Sequence, residues 1–252
     1  MSRRTDGRPR VIMVVQARMG STRLPGKSAM LLRGKPLVFR ILERLKRCRN
    51  VDKIVLAIPA TIANKPLANI ADEIGVDYYE GSEDDVLSRY YEAASKYNAD
   101  YVVRIPADNA TPEPFEIDKV IAFHKSLGRP GFTSNLAEFF NSGYPDGIGA
   151  EIFDFELLEE LYRKPEKVIS REHVHLNFFD YESQQVVDPI NCPVATLNCP
   201  AEYRRPDIIL DVNTASQYEY IVALYEYLYP RDSDFSIFDT IKWHDSVWKV
   251  SL

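Results

Sequence analysis

Three cysteines in 252 residues (Cys48, Cys192 and Cys199) are too few and too scattered for a disulfide framework or a zinc ribbon. A reducing compartment is the expectation. Glycine and proline are also sparse, at 11 and 16 residues, which excludes collagen-like and low-complexity chains. No apolar run approaches the roughly 18 residues of a membrane-spanning helix. The first apolar stretch, Val11 to Val15, stops at Gln16, short of a secretory leader's apolar core, so a cytoplasmic address and no membrane partner are expected. An excess of positive charge is missing too. Against 31 basic residues stand 37 acidic ones, a net charge of −6 that argues against a nucleic-acid partner. What is present is the ordinary mixture of a folded domain, on a chain long enough to bury a core without staples.

The pattern along the chain alternates β and α. Residues 1–10 are polar and basic and read as a disordered tail, followed by a single domain over 11–252. Val11–Gln16 reads as a buried strand. Pro36 opens a helix with Leu37, Ile41, Leu45 and Cys48 on one face. Lys53–Ile58, Val76–Tyr79 and Tyr101–Ile105 read as further strands. Between them, Ala63–Ile74 (ended by Gly75) and a segment from Val86 to Tyr97, capped by Ser82 or Asp84, read as helices. Glu113–Leu127 continues the series. Strands joined by helices at this spacing imply βαβ units and a mainly parallel sheet. From residue 130 the rhythm loosens. Helical patterns recur at 155–162 and 170–179, one or two edge strands fall within 185–206, Asp207–Val212 reads as a last buried strand, and Thr214–Tyr229 as an amphipathic helix.

Within this acidic chain one segment is cationic. Arg18, Arg23, Lys27, Arg33 and Lys35 place five positive charges and no negative one in 18 residues. The loop Gln16-Ala-Arg-Met-Gly-Ser-Thr-Arg-Leu-Pro-Gly-Lys27 leaves the end of the first strand, where backbone N–H groups and cations can wrap phosphates. It is not a P-loop. Five residues separate Gly20 from Gly26-Lys27-Ser28 where four are required, and Pro25 lacks a donor. Asp108 lies just past a buried strand, the edge where a parallel sheet opens on its ligand. Asp211 and Asn213, two apart, would share one face of a strand. With Asp108 they form an oxygen set suited to Mg²⁺ bridging phosphates. Glu172, His173 and His175 lack a further ligand and do not read as a zinc site. No cysteine has a His or Asn partner nearby for thiol catalysis.

These residues carry a resemblance. The loop ending Leu-Pro-Gly-Lys27, Gly34-Lys35-Pro36, Gly81-Ser-Glu-Asp-Asp-Val-Leu87 with Arg89-Tyr90, Tyr144-Pro-Asp-Gly147 with Glu151, and Arg171-Glu-His-Val174 resemble the spore coat polysaccharide cytidylyltransferase-like family, over about residues 11–220. That family is related to CMP-sugar synthetases such as those for 3-deoxy-manno-octulosonate. The resemblance implies a Rossmann-like, GT-A-like α/β nucleotidyltransferase fold, with an acceptor-binding and dimerisation region near 130–206. It also implies CTP as substrate, Mg²⁺ as cofactor and a homodimer. By the same resemblance, Ala17, Arg18, Gly20, Ser21, Arg23 and Lys27 would hold the triphosphate. Gly81, Ser82 and Asp85 would lie near the base and ribose, with Arg104 in the nucleotide-binding set. Asp108, Asp211 and Asn213 would hold metal, and Asp146, Glu151, Arg171 and His173 would face the acceptor. Arg18, Lys27, Asp108 and Asp211 would be catalytic.

The chain departs from the family pattern at three places. The usual Gly-Asp-Cys-Pro is Ala107-Asp-Asn-Ala110, the usual Asp-Thr-Pro-Glu-Asp-Leu is Asn213-Thr-Ala-Ser-Gln-Tyr218, and a Pro-Asp-Gly-Leu-Asp pattern is Pro145-Asp-Gly-Ile-Gly149. The expectation is transfer of CMP from CTP to an anionic acceptor, a sugar acid or a phosphorylated compound, in surface glycan biosynthesis. A GT-A-like glycosyltransferase and a degenerate nucleotide-binding protein are the alternatives.

Overall fold

The structure, a computed structural model, describes residues 7–136 and 139–250. In chain order its elements are β1 (Val11–Gln16), β2 (Leu31–Leu32), β3 (Lys35–Pro36), α1 (Leu37–Leu45), β4 (Lys53–Pro59), α2 (Lys65–Ile74), β5 (Asp77–Gly81), α3 (Val86–Lys96), β6 (Tyr101–Pro106), α4 (Pro114–Ser126), β7 (Phe132–Ser134), β8 (Glu151–Asp154), α5 (Phe155–Arg163), β9 (Phe179–Asp180), β10 (Gln185–Val186), β11 (Val194–Thr196), α6 (Ala215–Leu228) and α7 (Ile237–Trp243). Part of the expected tail, residues 1–6, lies outside the described residues. Arg10 is already fixed, its N–H donating to Asp100 Oδ2 and its guanidinium to the Tyr97 carbonyl.

A seven-stranded sheet in the order β11-β7-β8-β6-β1-β4-β5 forms the frame. β1 pairs in parallel with β4 and β6, and β4 with β5. β8 enters antiparallel between β6 and β7. The fold is thus a mainly parallel α/β sheet flanked by helices. β1 shows why it is central. Val11, Met13 and Val15 pack into one hydrophobic cluster with α1, α2, α4 and α6. Ile12 and Val14 pack into a second with α3 and α5. Period-two alternation with both faces apolar requires helices on both sides.

Local chemistry sets most boundaries. Gly75, at φ 69°, ends α2 in a left-handed cap. Thr214 and Gln217 form a capping box on α6. The cap of α3 is Asp85, whose Oδ1 accepts from the Ser88 N–H at 2.9 Å, rather than Ser82 or Asp84. Two expectations fail. Asp207–Val212 makes only isolated bridges, Asn109 with Asp211 and Asp146 with Ile209. Segment 170–179 is a short 3₁₀ turn, Val174–Asn177, running into β9. In 207–212 the backbone bonds go to neighbouring loops, Leu210 N–H to the Asp146 carbonyl and Val212 N–H to the Asp108 carbonyl, and in 170–179 a side chain takes over the hydrogen bonding a helix would use. Asn177 accepts from Ile169 and Ser170 and donates to Ser170 and Val174. No helix among the described residues is long and apolar enough to cross a membrane.

Candidate active site

β1 and β6 run parallel and side by side, so the loops leaving both open on the same edge of the sheet. That edge holds a cleft of about 450 Å³. The β1 loop is folded back on itself. Ser21 and Gly26 both donate backbone N–H to the Met19 carbonyl, and Met19 N–H is held by Asn64 Oδ1 at 2.8 Å. Gly26 sits at φ 72°, in the left-handed region, and the chain turns there to carry Lys27 inward. Residues 108–110 are fastened to 210–212 by Ala110 N–H to the Leu210 carbonyl and Val212 N–H to the Asp108 carbonyl. Two loops far apart in sequence thereby put Asp108 and Asp211 together.

Of the residues expected in the site, Ala17, Arg18, Ser21, Arg23, Lys27, Arg104, Asp108, Asp146, Glu151, His173, Asp211 and Asn213 line the cleft. Gly20, Gly81, Ser82, Asp85 and Arg171 are not among its lining. Asp85 and Arg171 answer each other: Arg171 Nε and Nη2 donate to Asp85 Oδ2 at 2.8 and 2.5 Å. Arg171, expected at the acceptor, is therefore committed to the start of α3. Its carbonyl also accepts from the Leu87 N–H. Gly81 lies above Arg89, and a Cβ at Gly81 would stand 3.2 Å from Arg89 Cγ.

Lys27 is only 9% exposed. Its ammonium donates to Asp108 Oδ2 at 2.8 Å, the Val212 carbonyl at 2.8 Å and Asn213 Oδ1 at 3.0 Å. Asn213 Nδ2 in turn donates to Asp211 Oδ2, and Gln217 Nε2 to Asp211 Oδ1 at 3.1 Å. Burial, and then the Asp108 charge, raise the Asp211 carboxyl above its ordinary pKa. Two carboxylates that repel each other beside an amide oxygen are a donor set for a hard divalent cation, with phosphate oxygens completing the shell. Among the described residues no three acidic, His or Cys groups form a metal cage without such help.

The opposite wall is a buried network. Arg104 on β6 faces Glu151 on β8 in register and pairs with its Oε2. Tyr181 donates to Glu151 Oε1 at 2.7 Å. Burial alone would lower Arg104 and raise Glu151. Their mutual attraction reverses both, holding Arg104 above and Glu151 below the ordinary values. His175 stands edge-on to Tyr181, with ring centroids 4.9 Å apart. Burial, against the pull of Glu151, depresses it to about 4, so its imidazole is neutral at physiological pH. Tyr181, His175 and Glu172 line the cleft without having been assigned a role from sequence. Glu172 and His175 flank the expected His173, but Tyr181 carries no sequence signal. Glu172 pairs with Arg18 at 3.3 Å. Cys192 and Cys199 are buried, with thiols pushed up to about 12, and neither lines the cleft.

The sequence profile of the cytidylyltransferase family matches residues 12–232. Spore coat polysaccharide biosynthesis protein SpsF of Bacillus subtilis is 28% identical over 221 residues, 86% of each chain. The uncharacterized protein MJ1063 of Methanocaldococcus jannaschii is 27% identical, over 85% of this chain and 83% of its own. A 3-deoxy-manno-octulosonate cytidylyltransferase of Geobacter sulfurreducens is 30% identical, over 44% of each chain. Among solved structures, a cytidylyltransferase from Leptospira borgpetersenii aligns with a TM-score of 0.81 at 26% identity, covering 96% of this chain and 97% of its own. A CMP-2-keto-3-deoxy-manno-octonic acid synthetase bound to CTP shares the fold, with a TM-score of 0.58 at 15% identity over 86% of this chain and 98% of its own.

Proposed function

The chain belongs to the cytidylyltransferase family, and on that premise we propose that it transfers CMP from CTP to an oxygen of a small anionic acceptor, releasing pyrophosphate, with Mg²⁺, in glycan biosynthesis. The observation that carries this reading is the meeting of the cationic β1 loop with Asp108 and Asp211 in one cleft. Arg18, Arg23 and Ser21 offer donors for the β- and γ-phosphates. The charge that builds on the departing pyrophosphate is met by the same groups, so stabilisation grows towards the transition state. Asp108 and Asp211, with Asn213 Oδ1 beside them, are the residues that would hold Mg²⁺. The ion, when bound, supplies charge neutralisation at the α-phosphate.

In the transfer, an acceptor oxygen forms a bond to the α-phosphorus while the bond from that phosphorus to the bridging oxygen breaks, and pyrophosphate leaves with the electron pair; a phosphate oxygen attacks as the anion, and a hydroxyl oxygen releases its proton to water as the bond forms. No covalent enzyme intermediate is needed, so the work of the protein is alignment and charge stabilisation. The acceptor lies against the wall of Asp146, Glu151, His173, His175 and Tyr181. Arg171 is held by Asp85 and Arg104 by Glu151, so an acceptor anion would meet Arg104 only in competition with the Glu151 carboxylate. Exposed Phe140, Ile169 and Val187 support a homodimer through the 130–206 region. The related SpsF and 3-deoxy-manno-octulosonate enzymes support the glycan setting.

The test has two stages. Thermal shift with CTP, UTP, ATP and GTP, each with and without Mg²⁺, should give the largest shift for CTP with Mg²⁺. Ligand at about 100 times its Kd adds about 2.7 kcal/mol. Pyrophosphate release across a panel of sugar acids, sugar phosphates and neutral sugars then identifies the acceptor. A larger shift with another nucleotide would sink the CTP assignment. CTP binding with no release across the panel would point to a nucleotide-binding protein without turnover.

A further inference from the structure

Lys27 has more partners than a phosphate-binding lysine needs. An ammonium has three N–H donors. In the free protein all three are used, by Asp108 Oδ2 at 2.8 Å, the Val212 carbonyl at 2.8 Å and Asn213 Oδ1 at 3.0 Å. While these contacts hold, none is left for a phosphate oxygen. Two of the three acceptors are the side-chain oxygens that would ligate a divalent cation. A Mg²⁺ ion needs its oxygens at about 2.0–2.1 Å. It could not take Asp108 Oδ2 and Asn213 Oδ1 from within the same small space without meeting the ammonium charge at close range. The side chain is nevertheless not sealed in the core. Lys27 lines the cleft beside Ser21 and Arg23, so nucleotide phosphates entering there come within its reach.

We propose that Lys27 is an internal counter-cation: in the free protein it occupies the divalent-metal position between Asp108 and Asn213, and it is drawn away to the triphosphate when metal and CTP arrive together. The proposal rests on the cytidylyltransferase reading for the identity of the nucleotide. It makes Lys27 a positioning residue as well as a phosphate ligand. It keeps Asp108 and the 211–213 segment assembled without metal, and it makes metal binding depend on the nucleotide. The exchange conserves charge compensation, since the ammonium leaves the carboxylates as the divalent ion takes them and gains the phosphates in the same motion.

The test uses Mn²⁺ as probe, followed by its electron paramagnetic resonance signal, with full-length wild type, Lys27→Met and Lys27→Gln and no nucleotide present. Lys27→Met should bind Mn²⁺ at least tenfold more tightly than wild type, and its unfolding temperature should rise with Mn²⁺ while that of wild type does not. Equal Mn²⁺ affinity in wild type and variant would overturn the proposal. Lys27→Gln gives the same comparison should Lys27→Met not fold. A measurement on wild type alone stands beside these. With ¹⁵N-lysine labelling, a slowly exchanging Lys27 ammonium signal in the free protein should move on adding CTP with Mg²⁺, and a signal unmoved by saturating CTP and Mg²⁺ overturns the exchange. Absence of any thermal shift with CTP and Mg²⁺, which reports that CTP does not bind, would instead overturn the nucleotide reading and leave the Mn²⁺ comparison intact.

Discussion

Replacing Glu151 by Ala separates two roles that one residue could have. From sequence Glu151 belongs to the acceptor. In the structure its side chain is 1% exposed and is the buried partner of Arg104, itself 11% exposed, and of the Tyr181 hydroxyl. Truncation leaves a guanidinium charge in a low-dielectric wall with no anion opposite, and breaking such a pair from one side costs about 3–5 kcal/mol. At about 2–4 °C per kcal/mol for a chain of this size, Glu151→Ala should melt about 6–20 °C below wild type. The assay is thermal unfolding by circular dichroism at pH 7. A double variant, Arg104→Met with Glu151→Leu, should recover most of the loss, because the buried charge and its partner leave together. The pH dependence has a definite sign. Burial works to raise Glu151, but Arg104 brings it net below its ordinary 4.5. Its stabilisation is therefore complete above pH about 4.5 and is lost as pH falls through the lowered folded value. Glu151→Ala melting within 2 °C of wild type, with only the acceptor KM raised, would refute the structural role argued here.

Four further outcomes are expected. Asp108→Ala should keep its fold and lose turnover by about 10²–10³-fold, the scale of removing one preorganised charge contact, and near-normal turnover by pyrophosphate release would remove its metal assignment. Asp85→Ala should cost about 1–2 kcal/mol through loss of the α3 cap and of the Arg171 pair, read by urea unfolding, with CTP affinity within about twofold of wild type. His175 has a folded value of about 4 against 6.5 when unfolded, so the unfolded chain binds the extra proton first. Stability should accordingly fall as pH drops from about 6.5 to about 4, and His175→Asn should flatten that slope in melts across the range. Chelation with EDTA should abolish pyrophosphate release, and added Mg²⁺ should restore it.

The sequence was legible wherever local chemistry decides alone. The apolar run of β1, the period of α1 and the Gly75 cap follow from propensity and burial; β1 and the cap stand where the sequence puts them, while α1 ends at Leu45, three residues before the expected Cys48. The cationic loop and Asp108 were legible because a loop after a strand in a parallel sheet has one edge on which to open. Segments 170–179 and 207–212 were misread because periodicity reports which faces are apolar, not whether a neighbour is there to complete the hydrogen bonds. Asn177 in one, and the bridge from Asn109 to Asp211 in the other, replaced the expected helix and strand.

What the sequence determined by itself was the family, the sheet, and a cationic loop set against acidic residues, because each is written in runs of neighbouring residues. Tertiary structure alone decided the pairings: Arg171 with Asp85, Arg104 with Glu151 and Tyr181, and Lys27 with Asp108 and Asn213. Those residues lie 30 to 186 positions apart. Which charge neutralises which is settled by distance across the cleft and by the dielectric there, and neither is encoded in local sequence.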